Sequence, residues 1–248
     1  MSLIRTHALL VTAFFAAMAG SAHAEIVSVP WPSGEKLTYE IRWSAVSAAE
    51  AVFRAFDRGD KWEFQMELKS RGMIETAYPI NDWFWSLQEK TPWRSIEYGE
   101  DRSEGKKRVK EQTRVDYKVG QAVRERWTQD KVDKFPVTAQ TLDDIGSMLY
   151  SLRRGSWALH DKRTLGVYES SSVKGGEVEC VAMEDKALGM WPKQPLIKLH
   201  GEPTGGEHKK GAVVIWMTND ARRLPLRAYL IFKYGAFTIE LTEVGVAN

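Results

Sequence analysis

"EKLTYEIRW" occupies Glu35–Trp43. In an extended chain Leu37, Tyr39, Ile41 and Trp43 point to one side, and Lys36, Thr38, Glu40 and Arg42 to the other. Such alternation marks a strand with one dry and one wet face, the pattern of an antiparallel sheet. It recurs along the chain. In "KWEFQMELK" (Lys61–Lys69), Trp62, Phe64, Met66 and Leu68 alternate with charged and polar residues. "TRVDYKV" and "QAVRERW" flank Gly120 and read as a hairpin. In "LPLRAYLIFKY" (Leu224–Tyr234), Leu224, Leu226, Ala228, Leu230, Phe232 and Tyr234 share a face. Phe237, Ile239 and Leu241 continue that face after Gly235.

"TNDARR" (Thr218–Arg223) separates "VVIWM" from "LPLRAYLIF". Asn and Asp bond back to nearby backbone and favour turns. The charged knot Asp220, Arg222, Arg223 therefore reads as a hairpin turn, with an Asp220–arginine pair contributing little at the surface. "EDRSEGKKRVKEQ" (Glu100–Gln112) mixes both charges around Ser-Glu-Gly and reads as another hairpin tip.

One segment departs from the period of two. In "TLDDIGSMLYSLRRG" (Thr141–Gly155), Leu142, Ile145, Met148, Leu149 and Leu152 follow helical spacing. Thr141 reads as N-cap, Asp144 as its N3 partner and Gly155 as C-cap, with Arg153 and Arg154 at the negative end. The predicted fold is mainly β: a strongly curved antiparallel sheet or incomplete barrel, with this helix (141–154) against its concave side. A long open sheet must curl or be covered.

Arg5, the apolar run "ALLVTAFFAAMAG" (8–20) and "AHA" (22–24) form the pattern of a secretory signal peptide, predicting cleavage after residue 24. Residues 25–248 then read as one domain, with no linker-like stretch and no further run of transmembrane length. Periplasmic export is the expected localisation. The single Cys180 excludes an intramolecular disulfide. Lys and Arg number 35 against 33 Asp and Glu, a net charge of +2, which gives no bulk attraction to nucleic acid.

Catalytic signals are sparse. Beyond residue 24 the histidines are His160, His200 and His208, at no metal-ligand spacing. There is no Gly-x-Ser-x-Gly elbow, Walker loop or Rossmann glycine set. Asp143 and Asp144 adjoin at a helix start, where capping explains them better than a glycosidase pair. Asp144, Arg153 and Asp220 read as structural caps and turns. No catalytic residue, metal or cofactor is expected. The ten tryptophans, dense in "YPINDWFWSLQEKTPW" (Tyr78–Trp93), suit either a core or a greasy pocket.

"GEKLTYEIRWSAVSAAEA" (34–51), "DDIGSMLYSLR" (143–153) and "VIWMTNDARRLPLRAYLIFKYGAFTIELTEV" (214–244) together resemble the DUF3108 family, exported proteins of Gram-negative bacteria. The resemblance departs at Ala48 or Ala49, where the family often has Gly, and at Gly146, where it has Ser or Ala. It implies a periplasmic β-rich domain and carries no active site. At fold level that domain is similar to periplasmic lipoprotein carriers, whose curved sheet holds a plugging helix.

The expected function is a non-enzymatic binding protein for a hydrophobic or amphiphilic ligand, a lipid or acyl chain, held on the concave side. Trp43, Trp83, Trp85, Trp216 and Phe232 are the candidate ligand-binding residues. The alternatives are an interaction module engaging an envelope protein partner, and a hydrolase using carboxylates from separate strands.

Overall fold

The structure is a computed structural model. It describes residues 29–44, 46–139, 141–169, 172–204, 212–232 and 235–247, without the side chains of 168, 169, 172–174, 204, 232 and 235. The expected signal peptide lies outside these residues.

The strands are β1 (Glu35–Trp43), β2 (Val46–Asp57), β3 (Lys61–Ser70), β4 (Ile80–Lys90), β5 (Trp93–Glu104), β6 (Lys107–Asp116), β7 (Gln121–Arg126) and β8 (Lys131–Pro136). After the helical segment come β9 (Lys162–Glu169), β10 (Ser172–Leu188), β11 (Trp191–Thr204), β12 (Ala212–Thr218), β13 (Pro225–Phe232) and β14 (Gly235–Val246). They form one antiparallel sheet ordered β8-β7-β6-β5-β4-β3-β2-β1-β14-β13-β12-β11-β10-β9. Neighbouring strands are consecutive in sequence except β1 and β14, the first and last, which pair through Ile41↔Ile239 and adjacent pairs. The mainly β fold expected from the alternation is therefore present, as an open sheet.

Helix α1 (Gly72–Ala77) links β3 to β4, and α2 (Ile145–Arg153) links β8 to β9. α2 shows how the sheet curves. Its Tyr150 stacks on Phe64 of β3 at 4.1 Å between ring centroids. Its Leu152 belongs to the buried cluster of Ile197 on β11 and Ile215 on β12. β3 and β12 stand five strand spacings apart, about 24 Å if the sheet were flat. A helix is only about 10 Å wide, so the sheet wraps around it.

α2 starts later than the spacing predicts. Asp144, not Thr141, is the N-cap: its carboxylate accepts from Ser147 N, and Ser147 Oγ accepts from Asp144 N, both at 2.9 Å. The backbone of the two preceding residues is engaged elsewhere. Leu142 O accepts from Ser95 N of β5 at 2.7 Å, and Asp143 N donates to Gly166 O of β9 at 2.8 Å. Residues 142–143 thus stitch the two halves of the open sheet across its gap. Gly155 follows the Arg154 C-cap with φ +68°, the left-handed conformation that glycine adopts readily. α1, which the sequence pattern did not reveal, has no buried residue.

The turn at 219–224 is the expected hairpin. Asp220 Oδ1 accepts from the backbone N–H of Arg222 and Arg223, and its Oδ2 pairs with the Arg222 side chain at 2.8 Å. Arg153 is more than a helix-end charge. It is fully buried, and it bonds Glu35 and the carbonyls of Arg222 and Arg223. It ties α2 to the first strand and to this turn.

Candidate functional site

The concave face divides into an apolar and a polar part. The apolar part contains a cavity of about 180 Å³. Tyr39 and Ile41 of β1, Ala51 of β2, Ala228 of β13 and Ile239 of β14 line it, and Leu149 of α2 covers it. The register explains the space. Tyr39 lies opposite Ala51, and Ile239 opposite Ala228, which lies opposite Ile215. Two alanines therefore stand in neighbouring rows of large side chains, and the helix above cannot follow the dip. Almost no polar atom faces the space. Tyr39 is buried, and burial raises its hydroxyl well above the usual tyrosine range.

The polar part lies under the start of α2. Asp144 is fully buried and accepts from the hydroxyls of Ser86 on β4, at 2.6 Å, and Ser95 on β5. Burial pushes its carboxyl up against these bonds. Asp143 accepts from Ser151 Oγ at 2.5 Å, and Ser151 in turn accepts from Trp93 Nε1 at 2.7 Å. Burial, opposed by the Ser151 bond, pushes Asp143 up to about 6. Each carboxylate is occupied by hydroxyls of the fold. Asp144 caps and anchors the helix, and Asp143 accepts from the helix's own Ser151. Among the described residues no group of three or more His, Cys, Asp and Glu could hold a metal.

None of the candidate residues with described side chains lines the cavity. Ser86 faces α2, so Trp83 and Trp85, at odd positions of the same strand, face away from it. Trp85 lies across Gly99 on β5, its register partner. Trp216 is buried in the same apolar cluster as Tyr39 and Ala51, without lining the cavity itself. Its own ring is flanked by Lys186 and Lys198 at 5.4 and 5.1 Å, and its Nε1 donates to Glu184 at 2.7 Å. The Phe232 side chain is outside the described residues. Trp43 adjoins the cavity row: the pair Trp43↔Phe237 follows Ile41↔Ile239 on the same face. It sits at the strand end, 45% exposed, with its ring stacked on Phe237.

Leu149, Tyr39 and Ile41 were legible as members of apolar faces. The empty volume was not, because it depends on which alanines stand across from them.

A family model described as a protein of unknown function (DUF3108) matches residues 38–242. The chain belongs to the DUF3108 family. Its match begins within β1 and ends within β14, so it takes in the whole wrapped sheet. No curated protein matches the DUF3108 chain. Among solved structures it is similar to a β-barrel-like protein of domain of unknown function DUF1849 from Brucella abortus. That match has a TM-score of 0.58 and 6% identity, over 86% of this chain and 98% of that one. A protein of YmcC-like fold from Bacteroides fragilis has a TM-score of 0.34 and 11% identity, over 88% and 98%. This last superposes too loosely to inform the fold. At such identities the likeness to the Brucella protein speaks to the barrel-like fold alone. No helix among the described residues is long and apolar enough to cross a membrane.

Proposed function

We propose that the protein is a non-enzymatic binding protein of the periplasm that holds an apolar group beneath α2. The cavity of about 180 Å³ between Tyr39, Ala51, Ala228 and Leu149 carries this reading. An apolar cavity of roughly 150 Å³ stays dry and accepts a benzene-sized guest, whereas pockets for drug-sized molecules run from about 300 Å³ upward. The fitting ligand is one ring or the end of one alkyl chain, not both tails of a diacyl lipid. The signal-peptide pattern of residues 1–24 supports the location. The hydrolase alternative is disfavoured by the engagement of Asp143 and Asp144 with Ser151, Ser86 and Ser95.

Calorimetric titration with a series of alkanoates tests the reading. One saturable site is expected, with affinity that rises with chain length and then levels once the cavity is filled. Absence of saturable binding across the series would overturn it.

A further inference from the structure

We propose that the end of the sheet opposite the last turn of α2 docks on an anionic phospholipid surface. Because every strand is antiparallel to its neighbours, the turns alternate between two ends. One end carries Glu35, the 219–224 turn and the last turn of α2, joined by Arg153. The other end carries the β1–β2 turn, α1 and the β5–β6 turn.

That second end is apolar where exposure to water would select polar residues. Trp43 is 45% exposed, Val46 39%, Tyr78 48% and Met73 73%. Met73 and Ala77, like Ile74 and Tyr78, are four apart, so they stand above one another along the α1 segment. No residue of α1 is buried, so this apolar face stays largely open to water. α1 nevertheless has a defined seat: Arg71 N donates to Ala48 O of β2 at 2.9 Å, beside the Trp43–Val46 turn.

Cations flank the same surface. Gly105 N donates to Pro79 O at 2.8 Å, which brings the β5–β6 turn, with Lys106, Lys107 and Arg108, against the end of α1. Lys69 and Arg71 lie on its other side. The carboxylates here are Glu50, paired with Arg71, Glu67, paired with Lys69, Glu104, near Lys107, and Glu75. Neither Lys106 nor Arg108 pairs with a carboxylate among the described residues.

Exposed Trp, Tyr and Met beside uncompensated cations suit the boundary of headgroups and acyl chains, where apolar tips enter and cations meet phosphate. The surface is made of turns and a short helix, so it offers no strand edge for a protein partner to extend. The apolar row also runs inward from it, from Trp43↔Phe237 to the cavity-lining Ile41↔Ile239. Docking does not require the cavity to hold a ligand.

Vesicle flotation of the purified protein tests the proposal. The protein is expected to float with vesicles of phosphatidylglycerol and phosphatidylethanolamine, and to stay behind with phosphatidylcholine alone. Met73→Asp with Tyr78→Asp should lower the bound fraction about tenfold, as should Lys106→Glu with Arg108→Glu. All four positions are on the surface, and an unchanged melting temperature shows that folding is intact. Ala228→Leu, which fills the cavity, should float like the unaltered protein, so this result is independent of the ligand reading. Equal flotation with both vesicle types, no flotation at all, or unaltered flotation of both double variants would overturn the proposal.

Discussion

Arg153, in the last turn of α2, forms a bidentate ion pair with Glu35 at the start of β1, Nη1 to Oε2 at 2.5 Å and Nη2 to Oε1 at 2.8 Å. Both side chains are buried, and the guanidinium also lies 5.1 Å over the Trp31 ring. Removing one member leaves the other charged and without its partner in a dry setting. Arg153→Met should cost about 3–5 kcal/mol. Glu35→Leu combined with Arg153→Met should cost clearly less than the two single changes added together. Urea denaturation of the four proteins measures this, and additive effects would show that the pair is not coupled.

Buried carboxylates set the pH dependence. Asp143 titrates at about 6 in the fold because burial disfavours its charge, against an ordinary value near 4 in the unfolded chain. Between those values the folded protein keeps a proton that the unfolded chain has released. Stability therefore rises as pH falls from 7 toward 4, by at most about 3 kcal/mol from this residue. Burial moves Asp82, Glu100 and Asp144 in the same direction. Asp57 and Asp220 are lowered, so their contributions disappear only in stronger acid. The urea midpoint should be higher at pH 5 than at pH 7.5, and Asp143→Asn should flatten that rise. A midpoint that falls steadily from pH 7.5 downward would contradict this.

Gly99 is held small by Trp85. A Cβ there would lie 1.9 Å from the indole ring, so Gly99→Ala must displace a bulky, rigid side chain. A loss of about 1–3 kcal/mol is expected. Gly99→Ala made together with Trp85→Val should lose less than Gly99→Ala loses in the unaltered protein. Thermal melts of the three variants and the unaltered protein check the coupling.

Much of the fold was legible, residue by residue, from the period of two. Tyr39, Trp62 and Phe64 are buried on the face that alternation assigns them. The helical stripe found α2 but misplaced its start, because the pattern does not show that Leu142 and Asp143 give their backbone to β5 and β9. The site was harder to read. In β4 Trp83 and Trp85 are the conspicuous side chains, yet the buried row is Asp82, Phe84, Ser86 and Gln88. Ser86 faces inward there, where its hydroxyl meets Asp144. That partnership spans 58 residues and leaves no local signature. The cavity is equally nonlocal, since Ala51 and Ala228 become neighbours of one space only when β1 pairs with β14.

The central claim is that an apolar group occupies the space under Leu149. Filling that space is the most direct test: alkanoate binding and urea stability are measured for Ala51→Leu combined with Ala228→Leu. The claim predicts that binding is lost while stability holds or rises by about 0.5–2 kcal/mol, as for other filled cavities. Undiminished binding by a stably folded filled variant would place the ligand elsewhere and contradict the claim.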